Sequence, residues 1–189
     1  MKTLFAALFV VLFAAVAQRP AAVTYVLNPA TSRLTWTGYA EAGGYAPTGT
    51  LRLAPGGTLV AEGPGALRAA RVLVDVRTLA HDNPTLQEHL RGADFFDVAH
   101  FPEATFELGR VAGGQAQGQL TLKGQTRPIS VPVTVTALGA DSLLLQGTAR
   151  LDRTQFGINY NSSSFFQNLG SYAIRNEFQL AFRLKAGRR

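Results

Sequence analysis

Apolar residues recur at every second position along most of this chain, the period of a strand with one buried and one wet face. Val72, Val74 and Val76 alternate with Arg71, Asp75 and Arg77 in a strand over residues 66–76, and Ala104, Phe106 and Leu108 alternate with Thr105 and Glu107. Residues 115–122 repeat the pattern at lower hydrophobicity, and a turn is expected over residues 123–127. In 128–138, Ile129, Val131, Val133 and Val135 share a side against Ser130, Pro132, Thr134 and Thr136. Leu143, Leu145, Gly147, Ala149 and Leu151 make a further row. The last row is the sharpest: Tyr172, Ile174, Phe178, Leu180, Phe182 and Leu184 oppose Arg175, Glu177, Gln179, Arg183 and Lys185, interrupted only by Asn176. Toward the N-terminus, residues 24–27 and 33–37 read as strands about Asn28-Pro29-Ala30, with Leu34 and Trp36 on one face. Glycines and Pro47 loosen residues 43–50 before alternation resumes at Leu51 and Leu53, and Pro55-Gly56-Gly57 turns the chain.

One stretch breaks the period. Asn83 is a cap, Pro84 suits the first helical position, Leu86 and Leu90 fall on one helical face, and Gly92 offers a stop, so a short helix is expected near residues 83–91. Phe95, Phe96, Phe101 and Phe106 follow, too much apolar surface for a solvated linker. About eight antiparallel strands, each with one greasy face, bury it in a two-sheet sandwich or a closed barrel. Long strands, and more phenylalanines than a thin interior holds, favour a single antiparallel β-barrel with room for one small ligand.

Composition narrows the class. Lys2, the apolar run 4–16 and Ala15-Val16-Ala17 predict a signal peptide over residues 1–17, cleaved near Ala17, hence an exported protein of periplasm or extracellular space. That run is shorter than the roughly 20 residues that cross a bilayer, so no transmembrane span is expected in the mature chain. Residues 18–189 suit one compact domain. With no cysteine there is no disulfide, thiol nucleophile or thiolate metal site. Removing Lys2 leaves 17 basic against 12 acidic residues, a charge of +5, but the basic residues are scattered, which argues against nucleic acid. The 128–138 strand, if an exposed edge, could pair with a second copy as a homodimer, which Pro132 opposes.

Candidate chemistry concentrates in two places. His81, His89 and His100 lie in one segment with Asp82, Asp94 and Asp97, but they match no helical ligand pair, so solvated or helix-capping roles are preferred over metal. Ser162, Ser163 and Ser164 lack the surroundings of a nucleophile elbow. Arg150, Asp152 and Arg153 read as an ion pair fixing a strand end, with a phosphate grip as the alternative. Residues 161–170 read as an exposed flap bringing Phe165 and Phe166 over a cavity mouth, or as a loop pinned to the core by them.

Several ordered motifs resemble the YceI-like, polyisoprenoid-binding family across about residues 23–186. They are the run 79–83, His89-Leu90-Arg91, Asp94-Phe95-Phe96-Asp97-Val98, Phe101-Pro102-Glu103-Ala104-Thr105-Phe106, the run 118–128, and Asp152-Arg153-Thr154-Gln155-Phe156-Gly157. The Gly- and Ala-rich residues 41–47 depart most from that pattern. The resemblance implies a lipocalin-like barrel exported to the periplasm, with an interior holding an isoprenoid or other long-chain lipid. With the histidine spacing and the missing nucleophile elbow, the preferred reading is a non-enzymatic binding protein with no metal or cofactor. The residues expected to line that interior are Trp36, Leu86, Leu90, Phe95, Phe96, Phe101, Phe106, Phe156, Phe165, Phe166, Phe178 and Phe182. Lys123, Arg127 and Arg153 are the candidate head-group contacts. The alternatives are a metal-dependent periplasmic enzyme using the 81–100 histidines, or a stress-response protein with a packed interior.

Overall fold

A computed structural model describes residues 21–63 and 65–189. The expected signal peptide and its cleavage near Ala17 lie outside these residues. Eleven strand segments run β1 (Ala22–Leu27), β2 (Arg33–Thr37), β3 (Thr48–Leu53), β4 (Thr58–Glu62), β5 (Ala66–Ala80), β6 (Glu103–Ala112), β7 (Gln115–Leu122), β8 (Gln125–Pro132), β9 (Thr134–Ala137), β10 (Ser142–Asp152) and β11 (Glu177–Arg188). One helix, α1 (Pro84–Arg91), interrupts them, with two short 3-10 turns at Arg153–Phe156 and Gly170–Tyr172. Among the described residues no helix is long and apolar enough to cross a membrane.

The eleven segments make eight strands. β1 and β2 both pair with β11 and lie in line, broken at Asn28-Pro29. β3 and β4 both pair with β5, broken at Pro55. β8 and β9 continue each other through Val133, β8 pairing with β7 and β9 with β10. With these breaks spliced, each strand pairs antiparallel with its sequence neighbour, and β11 returns to the first strand, closing an eight-stranded antiparallel barrel. Proline stands at all three breaks because it has no N–H for the ladder. The 128–138 stretch is therefore no free edge: it bridges β7 and β10 and closes the sheet.

The connections differ sharply between the two ends. At one end tight turns join β6 to β7 through Gly113 and Gly114, both at positive φ, and the residues 138–141 join β9 to β10. Buried Tyr25, Leu27, Leu59, Leu143 and Ala186 plug this end. At the other end lie the long connections 38–47, 81–102 and 153–176, the last two carrying α1 and the 3-10 turns. A tight turn at Lys123-Gly124 completes that rim, both residues at positive φ, so the expected turn is shorter than 123–127 and Arg127 already belongs to β8.

Local details match or correct the pattern. Asn83 Oδ1 accepts the Leu86 N–H at 3.2 Å, and Pro84 begins α1. Gly92 ends the helix at φ −73 rather than in the left-handed region, so its stop does not depend on being glycine. β5 extends past the expected Val76 to Ala80, with a register shift against β3 between Thr50 and Arg52. Tyr172 leaves the final apolar row: it sits in a 3-10 turn, 77% exposed, before β11 begins.

Candidate ligand-binding cavity

The inward rows of the barrel do not meet across its middle. A cavity of about 190 Å³ opens toward the long-loop end, and a second of about 110 Å³ lies deeper. Val74, Ala104, Leu120, Leu151 and Leu180 line both, so the two voids are neighbours along the barrel axis, separated by a waist of these side chains. Essentially every wall atom is apolar in both. An apolar void above roughly 150 Å³ stays dry and accepts a benzene-sized guest, so the upper cavity is suited to hydrocarbon rather than water.

The sequence-predicted residues divide among several places. Trp36, Leu86, Leu90, Phe95, Phe96, Phe178 and Arg153 border the upper cavity, and Phe106 and Phe182 the lower one. Phe156 is almost fully buried in the packing beside Trp36 and Phe95. Phe101 lies against the Lys123-Gly124 turn, where a Cβ on Gly124 would come within 2.8 Å of its ring. Phe165 and Phe166 are half exposed on the rim and are not on either wall. Lys123 gives its Nζ to the Ala93 carbonyl at 2.8 Å, and Arg127 donates to the Thr126 carbonyl and Gln125 Oε1. Neither borders the two cavities.

Most of the wall is aliphatic and was not singled out from the sequence: Val74, Val76, Leu79, Leu120, Leu122, Leu151, Ile158 and Leu180. Its signal was the period-two alternation itself: except for Leu79, the strand residues fall on the inward rows. Leu79 is out of phase with Val74 and Val76, where the pairing of β5 with β3 shifts register. Tyr39, Tyr45 and Pro47 from the 38–47 connection close the upper side. That connection turns on Gly43 and Gly44, both at positive φ, letting the Ala40 N–H reach the Tyr45 carbonyl at 2.9 Å. It is stitched to the 153–176 connection by the Ala40–Ile174 bridge, by the Glu41 N–H donating to the Ala173 carbonyl, and by the Ser163 hydroxyl donating to Glu41.

Among the described residues, Arg153 is the one charged group buried beside the cavity, at 4% exposure. The expected ion pair is absent there. Its guanidinium donates instead to the carbonyls of Arg175 at 3.0 Å, Ile158 at 2.8 Å and Ile174 at 2.9 Å, tying the start of the long connection to its end. Burial lowers its pKa, while the charges of Asp152 and Glu41 oppose that shift. Asp152 caps the 3-10 turn by accepting from the Thr154 N–H and hydroxyl, and Arg150 meets Glu177 only at 3.8 Å on the surface. Among the described residues, two side-chain polar atoms are buried without a partner, Trp36 Nε1 and Asn159 Oδ1.

The histidines serve three separate neighbourhoods. His81 accepts the Asn83 N–H ahead of α1 and lies 5.7 Å from the Trp36 ring. His89 meets Phe95 and Tyr160 edge-on at 5.1 and 4.7 Å. His100 sits 2.9 Å from Asp97 on the surface. Ser162 is fully buried, its hydroxyl donating to Asn176 Oδ1 at 2.6 Å and accepting the Ser164 N–H, so it anchors the 161–170 loop to the start of β11.

Comparison with known proteins places this geometry. Residues 25–186 match the family model described as the YceI-like domain. A UPF0312 protein of Vibrio cholerae is 33% identical over 118 residues, covering 56% of this chain and 62% of that protein. One from Yersinia pestis is 35% identical over 74 residues, 37% of this chain and 38% of its own length. The matched segment thus spans less than two thirds of either relative. Among solved structures, BcnA of Burkholderia cenocepacia superposes with a TM-score of 0.66 at 22% identity, over 84% of this chain and 98% of its own. A polyisoprenoid binding domain from Saccharophagus degradans gives 0.68 at 15% identity, over 88% and 99%. At such identities the two structures speak for the shared fold.

Proposed function

The chain belongs to the YceI-like domain family, and from that premise we propose that it is an exported binding protein, not an enzyme, which holds a long apolar lipid inside the barrel. The ligand class is an isoprenoid chain, carried as an isoprenoid quinone or phosphate. One observation carries this reading: two hydrocarbon-walled voids in series, sharing a waist and opening at the end where the long connections gather. A packed barrel needs no such space, and a polar substrate would find no partner on these walls. Each Å² of tail moved from water onto them contributes about 25 cal/mol, so a chain that fills both voids gains more than one confined to the upper void. The Saccharophagus degradans domain, named for polyisoprenoid binding, has the same fold and supports the same ligand class. Export rests on the signal-like N-terminus.

The test is solvent extraction and mass spectrometry of protein purified gently from a bacterial host, followed by uptake assays with prenyl phosphates and quinones. Near-stoichiometric isoprenoid lipid is the expected result. Repeated recovery of lipid-free protein that also takes up none of these compounds would overturn the proposal.

A further inference from the structure

The barrel wall at β11, β2 and β3 carries a row of cations with no counter-charge among the described residues. Arg183 and Arg33 stand directly opposite each other on β11 and β2. One step beyond the Leu34–Leu51 pair, the register brings Arg33 opposite Arg52 on β3, and both border one shallow surface groove. Their sequence neighbours Leu34, Leu53 and Leu184 point inward and are buried, so the three arginines point outward, and all are exposed. With strands about 4.8 Å apart, three guanidinium groups are set across about 10 Å of sheet. Lys185 joins them two residues along β11 on the same face.

Like charges in directly opposed positions destabilise a sheet, and no acidic partner among the described residues relieves them. The ion pairs of the described residues use Arg68, Arg71, Arg77, Arg150 and Arg188, and none of these four. Asp75 lies opposite Arg52 on β5, but both its oxygens are held by Arg77, which also keeps its carboxyl below the usual range.

The same sector ends in exposed aromatics. Tyr45, on the connection between β2 and β3, is 60% exposed; Phe165, Phe166 and Tyr172, on the connection leading into β11, are 55%, 50% and 77% exposed. Tyr45 borders the upper cavity, and the Ala40–Ile174 bridge joins its connection to the one that carries Phe165, Phe166 and Tyr172. These connections begin beyond Thr37 and before Glu177, four and six residues along the strands from Arg33 and Arg183, about 13–20 Å at the rise of a strand. Tyrosine and phenylalanine with an apolar body at a wet boundary are the side chains that settle at a lipid interface.

We propose that this sector docks on an anionic lipid bilayer, the arginine row and Lys185 meeting lipid phosphates while the rim aromatics enter the interface beside the cavity mouth. Charge complementarity chooses the occupant: a planar guanidinium row suits phosphate oxygens. With the barrel lying on this wall, its mouth opens at the edge of the docked face, beside the rim aromatics.

Cosedimentation of the full chain with vesicles tests it. The wild type is expected to bind phosphatidylglycerol-containing vesicles much more tightly than pure phosphatidylcholine, and to lose most of that preference between about 0.1 and 1 M salt, where the screening length falls from about 10 to 3 Å. Combining Arg33→Gln, Arg52→Gln and Arg183→Gln should weaken binding about a hundredfold, about fivefold per charge. Combining Arg68→Gln, Arg71→Gln and Arg150→Gln removes the same net charge from exposed ion-paired sites and should weaken it far less. Tyr45→Ser with Tyr172→Ser should reduce the binding that survives high salt. All these side chains are largely exposed, and an unchanged melting curve certifies each variant; Arg33→Gln alone, at fivefold, is the fallback. Equal loss from the two arginine triples, no preference for the anionic vesicles, or no binding would overturn the proposal. Lipid held in the cavity is read separately by extraction, so failure here leaves the lipid-carrier reading standing.

Discussion

Arg153 shows how a single side chain replaces a stretch of secondary structure. The connection between β10 and β11 has no ladder to hold it, yet three of its carbonyls converge on one guanidinium. Replacing it by methionine strands those carbonyls in a buried setting while relieving the cost of burying the charge. Arg153→Met is therefore expected to lose about 2–4 kcal/mol of stability, measured by urea denaturation. Arg153→Lys should recover only part of it, because a single ammonium cannot span three carbonyls with the geometry of a planar fork. The sequence showed an arginine beside an aspartate and a second arginine, which reads as an ion pair. The carbonyls it serves come from residues 5 to 22 positions away, and nothing in local spacing announces them.

At the scale of elements, closure of the sheet depends on where strands approach without side chains. Gly147 of β10 faces the Pro132 carbonyl at the point where β8 hands over to β9, and the Phe182 ring of β11 covers it from the other side. A Cβ there would collide with that carbonyl and come within 2.6 Å of Phe182 Cζ. Gly147→Ala should cost about 1–3 kcal/mol in thermal or urea unfolding, whereas Gly187→Ala, with open space around its Cβ, should be neutral or slightly stabilising. Gly49 under Trp36 and Gly118 under Phe106 repeat the arrangement, a ring of one strand lying over a glycine of the next. Helix α1 was legible before any coordinates because its cap, its proline and its Leu86 and Leu90 face all lie within nine residues. The Tyr172 assignment failed for the converse reason: alternation continued in the letters after the backbone had turned out of the strand.

The whole molecule is a barrel with one plugged end and one working end, and its waist governs what it can hold. Ala104 is the smallest side chain lining both cavities, so Ala104→Leu should fill the passage between them. Affinity for short prenyl compounds is then expected to survive while long-chain ones lose about tenfold or more, as read by fluorescence displacement across a chain-length series, with any overpacking cost about 1–3 kcal/mol. The sequence by itself determined the eight amphipathic strands, the short helix, the greasy interior and the absence of cysteine chemistry, because side-chain period and turn residues act locally. Only the tertiary structure decided which inward residues pack and which line a void. It alone turned Phe165 and Phe166 outward, gave Arg153 to backbone carbonyls, and aligned Arg183, Arg33 and Arg52 in one row. Those outcomes depend on register and closure between residues up to about 150 positions apart, a distance over which no local pattern carries information.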